Sequence, residues 1–207
     1  MNGLNSITND FLVNFIANSI SFDTTTVTKE QVELILDNKD SGLDEKTVKL
    51  VNNYLDAFLY AMTLASNKTE LTENILKDIH EKVVNGLSTG GLYRNVDISI
   101  KGSNHTPCSY IKVYDRMGKY FVTINDLNND LYYNIAFSHL QLMKVHPFLD
   151  GNGRLARIIL NYELVLHDLK PIYLNKNESD KYFAMVEDFK VNKNINGFID
   201  FLKETQK

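Results

Sequence analysis

The chain has 207 residues, 43% hydrophobic and 23% charged, with a formal net charge of −4. That is enough chain for a sizeable core and reads most simply as one domain, and the acidic balance argues against nucleic-acid binding as its main task. One cysteine (Cys108), no apolar run of membrane-spanning length and no basic-then-apolar leader exclude a disulfide framework and a membrane role, so a cytoplasmic protein is expected.

In chain order, Phe11, Leu12, Phe15, Ile16 and Ile20 have helical spacing within residues 1–22, and Thr24-Thr25-Thr26 is a connector of poor helix formers. Thr28 and Gln31 make a capping box that opens a helix to about Leu36. A loop over residues 37–42 leads to a helix from about Glu45 to Ser66, with Val51, Tyr54, Phe58 and Met62 on its apolar side. The next helix is expected from about Glu70, capped by Thr69, to Val84, and Asn85-Gly86 ends it. Val96, Ile98 and Ile100 then alternate with Asp97, Ser99 and Lys101, which predicts a short strand and, with the turn at Gly102-Ser103-Asn104, a small hairpin. A helix from about Leu127 to Val145 follows. A helix almost wholly apolar on one side comes after it, and two closing helices over 178–189 and 195–204 are split by Asn192-Lys193-Asn194.

The chemistry concentrates in His146-Pro147-Phe148-Leu149-Asp150-Gly151-Asn152-Gly153-Arg154-Leu155-Ala156-Arg157. Gly151 and Gly153 let an anion approach the main chain, and a helix starting there offers free N–H groups and a positive dipole end. Arg154 and Arg157, three apart, share a helix face and can clamp phosphate oxygens. They are half of only four arginines among 22 basic residues, as expected where planar, bidentate contacts favour Arg over Lys. Asp150 suits Mg²⁺, which takes one or two carboxylates and completes its shell from phosphates. His146 can accept a proton near neutral pH, and Pro147 pushes it out of α geometry at the end of the preceding helix.

This stretch resembles the Fic-domain signature, HPF-x-(D/E)-GNGR-x-x-R, at every signature position. The resemblance implies a mainly α-helical Fic-type fold with a β-hairpin flap over the active site. It also implies AMP transfer from Mg²⁺-ATP to a Ser, Thr or Tyr hydroxyl of a protein. In that reading His146 is the base, Asp150 holds Mg²⁺, and Gly151, Asn152, Gly153 and Arg154 bind the phosphates. Arg157 holds the γ-phosphate. Gly91-Leu92-Tyr93-Arg94 and Gly102-Ser103-Asn104-His105-Thr106-Pro107 resemble the family's flap, which implies that Ile98, Ile100, Gly102, Ser103 and His105 dock an extended target segment by strand addition. Self-modification and homo-oligomer formation stay open. So do AMP removal, transfer of another phosphate-linked group, and a non-catalytic interaction domain.

Tyr182 is a candidate for the adenine pocket by resemblance, and equally a core aromatic. His139, two turns before His146, reads as a packing or hydrogen-bonding residue beneath the loop, and no histidine pair has zinc-site company. Many Fic proteins carry an inhibitory helix, (S/T)-x-x-x-E-(G/N), whose glutamate occupies the last signature arginine. In that register, residues 1–27 form a regulatory helix and connector ahead of a catalytic core at 28–207, and Ser21 stands at the glutamate position, with Asp23 the nearest carboxylate. Thr69-Glu70-Leu71-Thr72-Glu73-Asn74 is a formal match to the same pattern. With no glutamate before Glu30, the chain is expected to bind ATP without activation.

Overall fold

The computed structural model describes residues 7–23, 25–126 and 128–207. Among them the regular elements are α1 (Asn9–Ser21), α2 (Lys29–Leu36), α3 (Glu45–Ser66), α4 (Glu73–Val84), α5 (Val113–Ile124), α6 (Leu131–Val145), α7 (Asn152–Leu166), α8 (Ser179–Asn192) and α9 (Asn196–Thr205), with single 3₁₀ turns at Tyr110–Lys112 and Lys176–Glu178. Short polar side chains open most of them. Thr8, Asp44, Thr72 and Asp130 each accept a backbone N–H of the first turn, and Thr28 with Gln31 forms the reciprocal capping box.

Helix α7 is the axis of the packing. Every residue from Arg154 to Val165 is buried, against α3 and α6 on two sides and α4 and α1 on others. A helix buried all round must be apolar nearly throughout, and its polar exceptions then need partners. Asn161 finds them by donating to Arg157 O (3.0 Å) and accepting from Ile172 N–H (2.7 Å). Around α7 runs one continuous core that takes in Phe15, Tyr54, Phe58, Leu76, Ile135, Ile158 and Phe198.

Four expectations change. Thr72, not Thr69, caps α4, so the helix begins at Glu73. Helix α6 begins at Leu131 behind an Asp130 cap, and Leu127 lies outside the described residues, as does Thr24 of the threonine connector. Helix α5 is an addition. Its buried Val113, Met117, Tyr120 and Ile124 do follow a helical period, but Gly118 and exposed Val122 interrupt the pattern.

The predicted hairpin is the fourth. Among the described residues no strand occurs, and residues 95–109 form an irregular excursion. A turn closes where Ser103 N–H meets Ile100 O at 3.2 Å, with Gly102 at φ +80°, but no second arm pairs with residues 96–100. Alternation alone cannot make a strand when neither edge of the segment has a partner.

Candidate active site

The loop between α6 and α7 is held from three sides. His146 ends α6 in the left-handed region, φ +50° and ψ +61°, rather than in the extended geometry that a following proline usually imposes. A non-glycine residue there costs on the order of 1–3 kcal/mol and persists only when its surroundings over-determine it. Arg94 does this. Its Nε donates to His146 O (2.9 Å), its guanidinium reaches the carbonyls of Val145, Val96 and Cys108, and its N–H bonds Pro147 O at 2.8 Å.

From the second side, the ring of His80 stacks on Phe148 (3.6 Å between centroids, 10° apart). Its Nδ1 accepts Gly91 N–H (3.1 Å), so Nε2 carries the proton donated to Asp150 O (2.9 Å). Burial pushes its pKa down to about 4, which keeps the ring neutral in this role. The third hold is internal. Asn152 Oδ1 accepts Phe148 N–H (3.0 Å) and its Nδ2 donates to Phe148 O (2.9 Å). The Asn152 side chain, expected on the phosphates, is therefore spent on closing the loop.

Gly151 sits at φ +74°, where a Cβ would also lie 2.8 Å from Val84 Cγ1, so position 151 admits only glycine on two grounds. Gly153 is ordinary helix, and its missing side chain leaves room for Arg157, whose Nη1 would be 3.2 Å from a Cβ. Together they bring the N-terminus of α7 into the loop.

The chemistry-bearing groups converge around that N-terminus. The His146 imidazole is half-buried, with its Nδ1 on the inner side, toward the backbone of Met143. Desolvation, helped by the charge of Lys190, lowers its pKa to about 4, so the ring is neutral and can accept a proton at neutral pH. Arg154 lies 3.1 Å from Asp23 through Nε, close enough for an ion pair but not aligned as a hydrogen bond. Its Nη2 lies 3.3 Å from Asp150, and buried Nη1 has no partner. The Asp150 side chain is 58% exposed and accepts Gly151 N–H at 2.7 Å. Its open carboxylate suits a cation that arrives with phosphates, and among the described residues no group of three His, Cys, Asp or Glu could cage a metal by itself.

Arg157 is covered by α1. It donates through Nε to Ser19 Oγ and through Nη2 to Ser19 O (2.7 Å), has Asp23 at 3.9 Å, and has the Phe22 ring 5.1 Å from its guanidinium carbon. Ser21 is elsewhere: its hydroxyl donates to Val27 O (3.2 Å) and accepts Val27 N–H (3.3 Å), stapling the turn after α1. The arginine-facing positions are thus 19 and 23, not 21. Tyr182 lies behind Phe22, edge-on at 5.3 Å, buried, with its hydroxyl 3.0 Å from His139 Nε2. His139 in turn meets Ala156 O (2.9 Å), the hydrogen-bonding position expected beneath the loop.

The excursion after Arg94 is tethered at its tip. Glu187 on α8 accepts Ser103 Oγ (2.8 Å) and Asn104 N–H (2.6 Å), and His105 Nε2 meets Lys144 O (3.2 Å). Ile98 and Ile100 are partly buried on the arm before it. Two residues that hold the site had no role of their own at the sequence level. Arg94 had a signal in the scarcity of arginine, and His80 in its place among Leu76, Val83 and Val84 on the apolar side of α4.

Residues 70–164 match the model of the Fic/DOC family. The protein adenylyltransferase Fic of Drosophila persimilis is 24% identical over 180 residues, which cover 83% of this chain and 35% of that one. The chain therefore spans about a third of the length of such relatives. A Fic-domain signalling protein from Bacteroides thetaiotaomicron superposes with a TM-score of 0.86 at 19% identity, covering 98% of this chain and 85% of that one. IbpAFic2, solved in complex with adenylylated Cdc42, superposes at 0.59 with 18% identity, over 93% and 68%. Likeness at that identity speaks for the fold alone, and it agrees with the family match over α4 to α7 and the loop between them. Residues 70–164, with the loop at 146–157 inside them, are similar to the Fic/DOC family, and the fold is that of solved Fic domains.

Proposed function

We propose that this chain transfers AMP from ATP to a hydroxyl of a protein, the activity that its relatives' names carry. The observation that bears most weight is a neutral, half-buried imidazole at the end of one helix followed, across a short loop, by a buried arginine with an unpartnered Nη1 in the first turn of the next. Those are a proton acceptor and an anion site, the two things that hydroxyl attack on a nucleotide α-phosphorus requires.

In this reading the target oxygen bonds to the α-phosphorus, its proton passes to His146, and the bond to pyrophosphate breaks. Arg154 neutralises the charge that develops on the departing oxygens, while the first N–H groups of α7 hold the phosphates in line. Asp150 is the residue that would hold Mg²⁺, which supplies charge neutralisation at the phosphates. The unpaired arm at 96–100, tethered through Ser103 and His105, serves as the edge on which an extended target segment adds. Residues 28–207 form the catalytic part. Helix α1 is the regulatory element, because Ser19, Phe22 and Asp23 occupy the groups a γ-phosphate would need on Arg157. The single thiol fits a reducing compartment such as the cytoplasm.

Incubation with labelled ATP, UTP and CDP-choline tests the donor and the reaction together. Label from ATP on this chain or on an added protein, with none from the other two, is the expected outcome. Exclusive labelling from UTP or CDP-choline would overturn the adenylyl reading.

A further inference from the structure

A cavity of about 480 Å³ opens on the far side of the 103–108 segment, and none of residues 146–157 lines it. Its walls come from three helices and the turn after α8. Arg116 (α5), Lys144 (α6) and Lys193 (the C-cap of α8) supply three positive charges, and Tyr133, Phe137 and Phe189 supply three rings. No carboxylate lines it, in a chain whose acids outnumber its bases 26 to 22. Among the described residues none of the three cations has an ion-pair partner within 4 Å, whereas eight other Lys and Arg residues do. Lys144 makes only a long contact to Phe189 O (3.4 Å) and lies over the Phe189 ring (5.3 Å).

Helix dipoles account for part of this. Lys144 in the last turn of α6 and Lys193 at the end of α8 both complement a negative helix terminus. They do not account for Arg116, which lies within α5, nor for the aromatic walls. Three unneutralised cations around a half-apolar hollow leave a repulsion that an anion would relieve. In line with that, Lys144 is lowered by burial and by the charges of Lys193 and Arg116. The volume is that of a small-molecule pocket rather than of a flat docking face. Rings beside cations suit a planar body carrying phosphates.

We propose that this cavity, bounded by Arg116, Lys144, Lys193, Tyr133, Phe137 and Phe189, is a second binding site for a small phosphorylated ligand with a planar ring, a nucleotide in chemical class. It is separate from the loop at 146–157. Its occupancy would bear on the 103–108 segment, since His105 lines the cavity and contacts Lys144 O. The inference does not depend on the transfer reaction, because its readout is binding.

The probe is ADP without added metal, titrated calorimetrically into the full chain carrying Arg154→Ala, which weakens the signature site. One site of micromolar to low-millimolar affinity should remain. Arg116→Glu and Lys193→Glu are exposed substitutions that leave the core intact. Each should weaken the remaining site at least tenfold, with unchanged circular dichroism. Pyrophosphate should bind more weakly than ADP, because it lacks the ring. No residual binding, or residual binding indifferent to both charge reversals, would overturn the site. Pyrophosphate binding as tightly as ADP would overturn the planar-ring assignment. A glutamate-rich peptide that binds there when ADP does not would show the cavity to be a peptide site instead.

Discussion

The loop at 146–153 and the excursion at 95–109 share one anchor, the buried Arg94 whose guanidinium touches carbonyls of both, yet they are built in opposite ways. In the loop the strained, left-handed backbone of His146 is pinned by Arg94, His80 and Asn152, each with its own hydrogen bonds. In the excursion Arg94 holds the two ends at Val96 and Cys108 and Ser103, Asn104 and His105 tie the tip, but the arm at 96–100 runs without a ladder partner. Rigid placement suits groups that must meet a reacting atom within a few tenths of an ångström, and unpaired backbone suits recognition by strand addition. On the proposed function, chemistry and docking are divided between an over-determined element and an under-determined one.

The largest expected effect breaks the pinned side. His146→Ala should cut transfer by about 10²–10⁴-fold while ATP binding persists, because the imidazole acts on the target hydroxyl. Near-normal labelling by this variant would remove His146 from the mechanism.

Next comes a pH dependence that belongs to the same pinned region. His80 and His139 are fully buried and, like His146, are held at about 4 by desolvation, against an ordinary value near 6.5. Between those values the unfolded chain binds protons that the folded one does not, so stability rises with pH, by at most about 1.4 kcal/mol per unit for each histidine. Glu163 opposes them. Burial raises it to about 8, so between 4.5 and 8 the folded chain keeps a proton that the unfolded one loses, and its contribution falls as pH rises. Urea unfolding between pH 5 and 6.5 should therefore show stability increasing with pH, more steeply in Glu163→Gln. A flat profile in both chains would mean that these histidines are not held neutral.

A third experiment sharpens the comparison from the side of α1. Asp23→Ala frees Arg154 and Arg157 from a carboxylate that is 43% exposed. It should tighten ATP binding by up to about tenfold, or about 1.4 kcal/mol, by calorimetry. Ser21→Glu should do little, since that side chain faces Val27. The reverse ranking would restore position 21 as the inhibitory one.

The smallest effect probes the under-determined side. Ile98→Pro removes an N–H that has no partner among the described residues, so stability should move by less than about 0.5 kcal/mol. Labelling of a protein target should fall by about two- to tenfold, the worth of one backbone hydrogen bond, with ATP affinity unchanged. Equal labelling would mean that targets dock elsewhere.

Sequence by itself determined what depends on local chemistry. Helix α3 was legible to both ends because period and termini agree within one segment, and α2 was legible from Thr28 and Gln31. The end of α6 was legible from Pro147, and the position of the loop and of the helix start after it from a dozen contiguous residues. The rest depended on groups brought together from far apart. That Asn152 closes its own loop, that Arg94 and His80 pin it, and that Ser19 and Asp23 rather than Ser21 face Arg157 across 138 and 134 positions are matters of packing, which no local pattern encodes. The predicted strand failed for the same reason. Alternation at 96–100 states a preference, and a strand exists only where tertiary structure supplies a neighbour to pair with it.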